Sequence, residues 1–250
     1  MAKKRADQLL AERGLAESRT RAQAFIMAGL VYAGENKEHP VTKAGQMFAE
    51  DVSLFVKGKD HPWVSRGGMK LAHALEAFKI NPTGWICLDV GSSTGGFTDV
   101  LLTKGAKSVY AVDVGTAQLA WKLREDDRVI VHEQTNARHL TKEIIPQSPD
   151  IIVCDASFIS LKTVLPASLN LAHEGTLLVA LIKPQFEAKR EEVGKKGVVR
   201  DENVHQRVCQ EVTEWLLAEE KWEILGLTAS PILGPEGNKE FLIVAKRTAL

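Results

Sequence analysis

Cysteine is scarce here: three residues in 250, Cys87, Cys154 and Cys209, with no C-x-x-C spacing. That excludes a disulfide framework. Two of the three fall in apolar runs read as buried strands, so they are expected as reduced residues of a cytoplasmic protein. His, Cys and acidic residues show no ligand spacing, so no metal site is expected. No apolar run approaches the length of about 20 residues that spans a bilayer. The N-terminus also lacks the apolar core of a secretion signal, so neither a membrane partner nor export is expected. Net charge is missing as well, with 32 Lys and Arg against 32 Asp and Glu. Any polyanion-binding surface must come from charge segregated along the chain. What the chain does have is 44% apolar residues, ample for one large or two smaller domains.

The most informative stretch is Leu88-Asp89-Val90-Gly91-Ser92-Ser93-Thr94-Gly95-Gly96-Phe97-Thr98. The mostly apolar run Trp85 to Val90 ends in a glycine-rich turn, after which Phe97, Val100 and Leu101 follow at helical spacing. This predicts strand, tight turn and helix N-terminus, with Gly91, Gly95 and Gly96 letting the backbone approach a ligand. The helix start offers free N–H groups to an anionic group. Asp113 closes a second apolar run, Val109 to Val112, where an acid grips ribose hydroxyls. A nucleoside cofactor is therefore expected. The fit to G-x-G-x-x-G is poor because Ser93 stands at the second glycine position. D-x-G-x-x-x-G-G instead resembles the first motif of S-adenosylmethionine-dependent methyltransferases. An NAD enzyme stays open as a lesser alternative at this point.

Residues 1–57 differ in character. Ala6, Leu9 and Leu10 share a helical face that Gly14 ends, and Ser18 is the expected N-cap of a second helix with Ala22, Phe25 and Ile26 inward. A Gly34/Asn36 turn and the β-prone run Val52 to Val56 follow. From Met1 to Gly34, Lys3, Lys4, Arg5, Arg13, Arg19 and Arg21 outweigh Asp7, Glu12 and Glu17 by three charges. R-x-D-x-x-L from Arg5, G-L-x-x-S-R-x-x-A from Gly14 and I-x-x-G-x-V from Ile26 resemble the S4 RNA-binding domain. The resemblance implies a small α+β module, with Arg5, Arg19 and Arg21 facing phosphates. Residues 58–65 read as a linker. Residues 66–250 form the second domain, opening on Arg66 and a helix with Leu71, Ala74 and Leu75 inward. Lys70 lies in that helix's first turn, where the dipole disfavours a cation.

Two further apolar runs end in charge: Ile151 to Cys154 in Asp155, and Leu177 to Ile182 in Lys183. In a parallel sheet such ends line the ligand crevice. Asn136, just past the run Val129 to His132, is expected near an adenine. Asp201 to Ala218 has helical periodicity. Trp222 to Leu227 and Phe241 to Lys246 read as strands whose connecting loop has no room for a crossover helix, so they should be antiparallel. The expected fold is α/β, a Rossmann-like sheet mostly parallel with one antiparallel strand. Glu240 is read as opening the last strand, and Gly194 to Arg200 as a basic loop in which Lys195, Lys196 and Arg200 join Arg66 as RNA contacts.

Four segments now combine: Val64-Ser65-Arg66-Gly67-Gly68-Met69-Lys70-Leu71, Asp155-Ala156-Ser157-Phe158-Ile159-Ser160-Leu161, Lys183-Pro184-Gln185-Phe186-Glu187 and Gly237-Asn238-Lys239-Glu240-Phe241. With the S4-like start they closely resemble the TlyA (haemolysin A) family over essentially the whole chain. The resemblance implies an S4 domain joined to an FtsJ-like methyltransferase domain, with ribosomal RNA or a ribosomal subunit as partner. It implies a catalytic set of Lys70, Asp155, Lys183 and Glu240 that methylates the 2′-OH of cytidine. S-adenosylmethionine is assigned to Asp89, Gly91, Ser93, Gly95, Gly96, Phe97, Asp113, Asn136 and Asp155. Chemically, Lys183 is the candidate base, with Asp155 and Glu240 orienting it. A non-catalytic RNA-binding or ribosome-assembly protein is the alternative.

Overall fold

The computed structural model describes residues 3–16, 18–35, 39–57, 61–219 and 221–249, so Asn36 of the expected turn and residues 58–60 of the linker lie outside the described residues. The chain divides into two compact units, Met1–Val64 and Ser65–Leu250.

The first unit packs helices Ala6–Glu12 and Arg19–Met27 on a small sheet in which Val31–Ala33 pairs antiparallel with His39–Pro40 and Leu54–Val56. Lys3–Arg5 pairs separately with Met47–Ala49. Ser18 caps the second helix, its hydroxyl accepting the Arg21 N–H at 3.1 Å. Ala6, Leu9, Leu10, Ala22 and Ile26 are buried with Val31, Val41 and Leu54 in one core. The spacing of apolar residues at three and four positions places them on facing helical stripes.

The second unit is built on seven strands: β1 (Ile86–Val90), β2 (Ser108–Val112), β3 (Val129–His132), β4 (Ile151–Cys154), β5 (Leu177–Ile182), β6 (Trp222–Ala229) and β7 (Phe241–Arg247). Their order is β6-β7-β5-β4-β1-β2-β3. β1 to β5 pair parallel, and β7 runs antiparallel to both β5 and β6. Its three longer helices are α1 (Gly67–Ala77), α2 (Gly96–Thr103) and α3 (Glu202–Ala218). The central strands β4 and β5 are almost wholly buried, which is why they read as continuous apolar runs without alternation. Val208, Val212 and Leu216 of α3 join Leu88, Ile152 and Leu178 in the main core.

Some boundaries differ from the sequence reading. Asp201 is the N-cap of α3, its carboxylate accepting the Asn203 N–H at 2.9 Å, so the helix starts at Glu202. β6 runs to Ala229, two residues further than expected, held by pairing with Phe241. Glu240 stands just before β7 and does not open it.

The strand order reverses direction at β1, which has β2 on one side and β4 on the other. In open α/β sheets the crevice at the carboxyl ends beside such a switch point receives the ligand. The glycine turn after β1 and Asp155 after β4 both stand there.

Candidate active site

Parallel register aligns Ala180 of β5 with Cys154 of β4, so the chain leaves both strands at the same sheet end as Asp155 and Lys183. Lys183 Nζ lies 2.7 Å from Asp155 Oδ1 and donates to the Ser157 hydroxyl at 2.8 Å and the Asp155 carbonyl at 3.2 Å. Lys70 Nζ lies 3.8 Å from Asp155 Oδ2 and 2.6 Å from Glu240 Oε2. Charge therefore alternates along Lys183, Asp155, Lys70 and Glu240. Lys70, Lys183 and Glu240 are 6%, 5% and 1% exposed, so these are buried ion pairs and not surface ones. The dipole cost of a lysine in the first turn of α1 is offset by the Glu240 carboxylate. One expectation is corrected: Glu240 meets Lys70, and the orienting partners of Lys183 are Asp155 and Ser157.

Two adjoining cavities border this chain of charges. The smaller, about 220 Å³, is lined by Arg66, Lys70, Ser92, Phe97, Asp155, Ser157 and Lys183 among others. The larger, about 590 Å³, has apolar walls from Val112, Val114, Ala137 and Ile159, with Asp113 and Asn136 beside them. Gly91, Ser93, Asp155 and Ser157 line both. The Asp113 carboxylate accepts the N–H groups of Ser93 at 2.8 Å and Gly115 at 2.7 Å. The Asn136 Oδ1 accepts the Arg138 N–H at 3.1 Å, which fixes the turn that holds it at the cavity wall.

Gly91 and Gly96 line the smaller cavity, and the glycines of the turn also make room for the protein's own chain. Gly91 has φ +80, and a Cβ there would sit 2.9 Å from the Ala156 Cα. A Cβ on Gly95, φ +96, would strike Leu123 at 2.3 Å, and one on Gly96 would meet the Ser65 hydroxyl at 2.3 Å. Their missing side chains make room for the protein's own neighbouring segments, which brings the turn, the β4 loop and the start of α1 together.

Asp89 departs from its expected place. It is fully buried, accepts the Thr98 hydroxyl at 2.6 Å, and lines neither cavity. It braces the glycine turn from behind. Burial, opposed by the Thr98 hydrogen bond and reinforced by Asp155, pushes its carboxyl up to about 7. The unfolded chain loses this proton near its ordinary value of 3.8, whereas the folded chain keeps it until about 7. The folded state thus binds more protons in between, and stability falls as pH rises through that window. Asp89→Asn, which mimics the protonated acid, should match the parent in urea midpoint near pH 4. Its unfolding free energy should exceed the parent's at pH 8 by on the order of a few kcal/mol. Parallel pH profiles for the two proteins would disprove the titration.

The remaining basic candidates are scattered. Arg66 is exposed just before α1 and lines the smaller cavity. Lys195, Lys196 and Arg200 are exposed on the loop before α3. In the first unit Asp7, fully buried, holds Arg5 through two hydrogen bonds of 3.0 Å and Arg19 at 3.5 Å. Arg5 chiefly, against the burial, holds that carboxyl well below the usual range. Arg21 lies 4.9 Å over the Phe25 ring. Asp7 as the anchor of these arginines was missed by sequence reasoning, although its place in R-x-D put it within reach.

Ser157 and Glu187 were also missed. Glu187 accepts the Ser160 hydroxyl at 2.6 Å and the Leu161 N–H at 2.7 Å, pinning the segment that carries Ser157. Both stood in the quoted motifs, but nothing local signalled their partners. Burial raises the thiols of Cys154 and Cys209 to about 12 and about 11, consistent with inert core residues. Among the described residues no group of three or more His, Cys, Asp or Glu is arranged to hold a metal, and no helix is long and apolar enough to cross a membrane.

A seven-stranded sheet with one antiparallel strand, a glycine turn and an acid closing the second strand define an α/β domain of the methyltransferase type. The chain belongs to the FtsJ-like methyltransferase family, whose model matches residues 63–247, and within it to the TlyA relatives. It is 47% identical to the 16S/23S rRNA (cytidine-2′-O)-methyltransferase TlyA of Mycobacterium tuberculosis, over 96% of this chain and 88% of that protein. Hemolysin A of Brachyspira hyodysenteriae is 39% identical over 95% of this chain and 98% of its own length. A solved structure from Streptococcus thermophilus, described as a hemolysin, is similar at TM-score 0.76 and 44% identity, covering 99% of this chain and 90% of that one.

Proposed function

We propose that this protein transfers the methyl group of S-adenosylmethionine to the 2′-OH of a cytidine in ribosomal RNA. The observation that carries the reading is the buried chain Lys183, Asp155, Lys70 and Glu240, of which Lys183, Asp155 and Lys70 line the smaller cavity and Asp155 the larger one as well. The larger cavity suits an adenosine: Asp113 keeps lone pairs for ribose hydroxyls, and Asn136, Val112, Ala137 and Ile159 suit the base. Gly91, Ser93, Gly96 and Phe97 are assigned to the methionine part, with Asp89 and Gly95 supporting the turn. When bound, this cofactor supplies an electrophilic methyl group on a sulfonium.

A ribose hydroxyl is a poor nucleophile at neutral pH, so the protein must take its proton as it attacks. Lys183 Nζ is assigned that role. It now faces three acceptors, the contact set of an ammonium, and must release one proton to solvent before the substrate hydroxyl takes that position. Asp155 and Ser157 hold Nζ, and Lys70, itself fixed by Glu240, holds the other oxygen of Asp155. Substrate orientation supplies much of the remaining rate.

RNA contacts are assigned to Arg66, Lys195, Lys196 and Arg200, and to Arg5, Arg19 and Arg21 of an S4-type module over residues 1–57, joined by residues 58–65 to the catalytic domain of 66–250. Because Asp7 already engages Arg5 and Arg19, RNA phosphates must share those guanidinium groups with it. The protein is read as cytoplasmic, where ribosomal RNA is modified. Mapping of 2′-O-methyl marks on ribosomal RNA from cells with and without the gene tests the reading. A cytidine mark that depends on the protein is expected, and identical maps would refute it.

A further inference from the structure

The basic loop and Glu240 are separated by some forty residues of sequence, yet one side chain joins them. Asn238 is 3% exposed. Its Nδ2 donates to the Gly197 carbonyl at 3.0 Å, and its Oδ1 accepts the Val199 N–H at 3.1 Å. Its own carbonyl accepts the Gly234 N–H at 2.8 Å, closing the turn that leads into Glu240. The other side of Val199 is held too: its carbonyl lies 3.0 Å from His205 Nε2, and that ring lies 5.8 Å from the ring of Phe241. Lys239 reaches Glu202 at the start of α3 at 2.8 Å. Two turns that each contain consecutive left-handed residues, Lys196–Gly197 and Glu236–Gly237, are thereby clamped together.

The clamp bears directly on the ion-pair chain. Glu240 is two residues from Asn238, and a Cβ on Gly234 would lie 2.2 Å from Glu240 Oε1, so this turn closes tightly over the carboxylate that holds Lys70. At the other end of the clamp Lys195, Lys196 and Arg200 stand exposed. We propose that Asn238 is a positioning residue that couples engagement of the Gly194–Arg200 loop by RNA phosphate to the placement of Glu240 against Lys70. The inference rests on the reading that this loop takes RNA and that the ion-pair chain serves methyl transfer. Binding at the loop then does more than add affinity: it stiffens the Glu240 turn, so the site is best organised with substrate present.

The test is a double-mutant cycle on full-length protein with ribosomal RNA lacking the modification. Asn238→Ala should lower kcat at least tenfold, with KM for RNA and the dissociation constant for S-adenosylmethionine within twofold of the parent. Lys195→Ala/Lys196→Ala should raise KM and lower kcat. Combined with Asn238→Ala, it should lower kcat by less than twofold more. Effects on kcat that multiply independently would overturn the coupling. Should Asn238→Ala fail to fold, Asn238→Asp keeps the acceptor for Val199 and loses the donor to Gly197. Hydrogen exchange supplies a readout independent of turnover. Ribosomal RNA should slow exchange across residues 234–241 in the parent and not in the Asn238 variant with RNA still bound, and equal protection would also overturn the proposal. A parent protein that shows this protection but transfers no methyl group would refute the enzymatic reading and leave the coupling standing.

Discussion

Lys183→Ala is expected to bind S-adenosylmethionine with near-parental affinity and to lose at least about a thousandfold in methyl transfer, within the range of general-base contributions. Nζ is the nitrogen placed at the wall of the smaller cavity with three acceptors fixing it, so no backbone change is needed to remove the base. Among the described residues the ion pair left to Asp155 is the longer 3.8 Å contact to Lys70, and it is partly exposed, so the fold should tolerate the change. Labelled methyl incorporation into ribosomal RNA, with calorimetry of cofactor binding alongside, separates the two effects. Undiminished incorporation would move proton removal to solvent and end the assignment of Lys183 as base.

The second large effect is on stability. Glu240 has no exposed side-chain surface and meets Lys70, 8% exposed at its side chain, as an ion pair with no further hydrogen bond to either carboxylate oxygen among the described residues. Removing one member of such a pair strands a charge, at a typical cost of about 3–5 kcal/mol, whereas replacing both with apolar groups of similar volume is often neutral. Glu240→Met should therefore destabilise by about 3 kcal/mol, the lower end because Asp155 still faces Lys70. Lys70→Met/Glu240→Met should recover most of that loss. Neither protein should methylate RNA, since Lys70 loses the carboxylate that fixes it in the single variant and Asp155 loses Lys70 itself in the double one. Urea denaturation gives the stabilities, and a double variant weaker than the single one would show that the pair contributes more than mutual neutralisation.

Much of this arrangement was legible beforehand. The sheet end was marked by apolar runs closing in Asp113, Asp155 and Lys183. The antiparallel β7 was marked by a connection too short and too rich in Gly and Pro for a crossover helix. These signals are local, carried by periodicity and φ/ψ preference within about ten residues. The four residues of the ion-pair chain came from resemblance as much as from pattern, because a charge at a strand end does not name its partner.

The amino-acid sequence by itself determined the type and order of the main strands and helices, to within a residue or two at several ends, and which charged groups emerge at the carboxyl end of the parallel strands. Only the tertiary structure decided who meets whom: Glu240 with Lys70, Ser157 with Lys183, Asp7 with Arg5 and Arg19, Asn238 with the basic loop. It also decided that Asp89 faces Thr98 and that the glycines yield space to Ala156, Leu123 and Ser65. Most of these pairings join distant segments, set by strand order, register and burial, and several lie within a few ångströms of an alternative. A buried charge takes the partner that best offsets its desolvation, which depends on the whole packed surroundings and not on the neighbours it has along the chain.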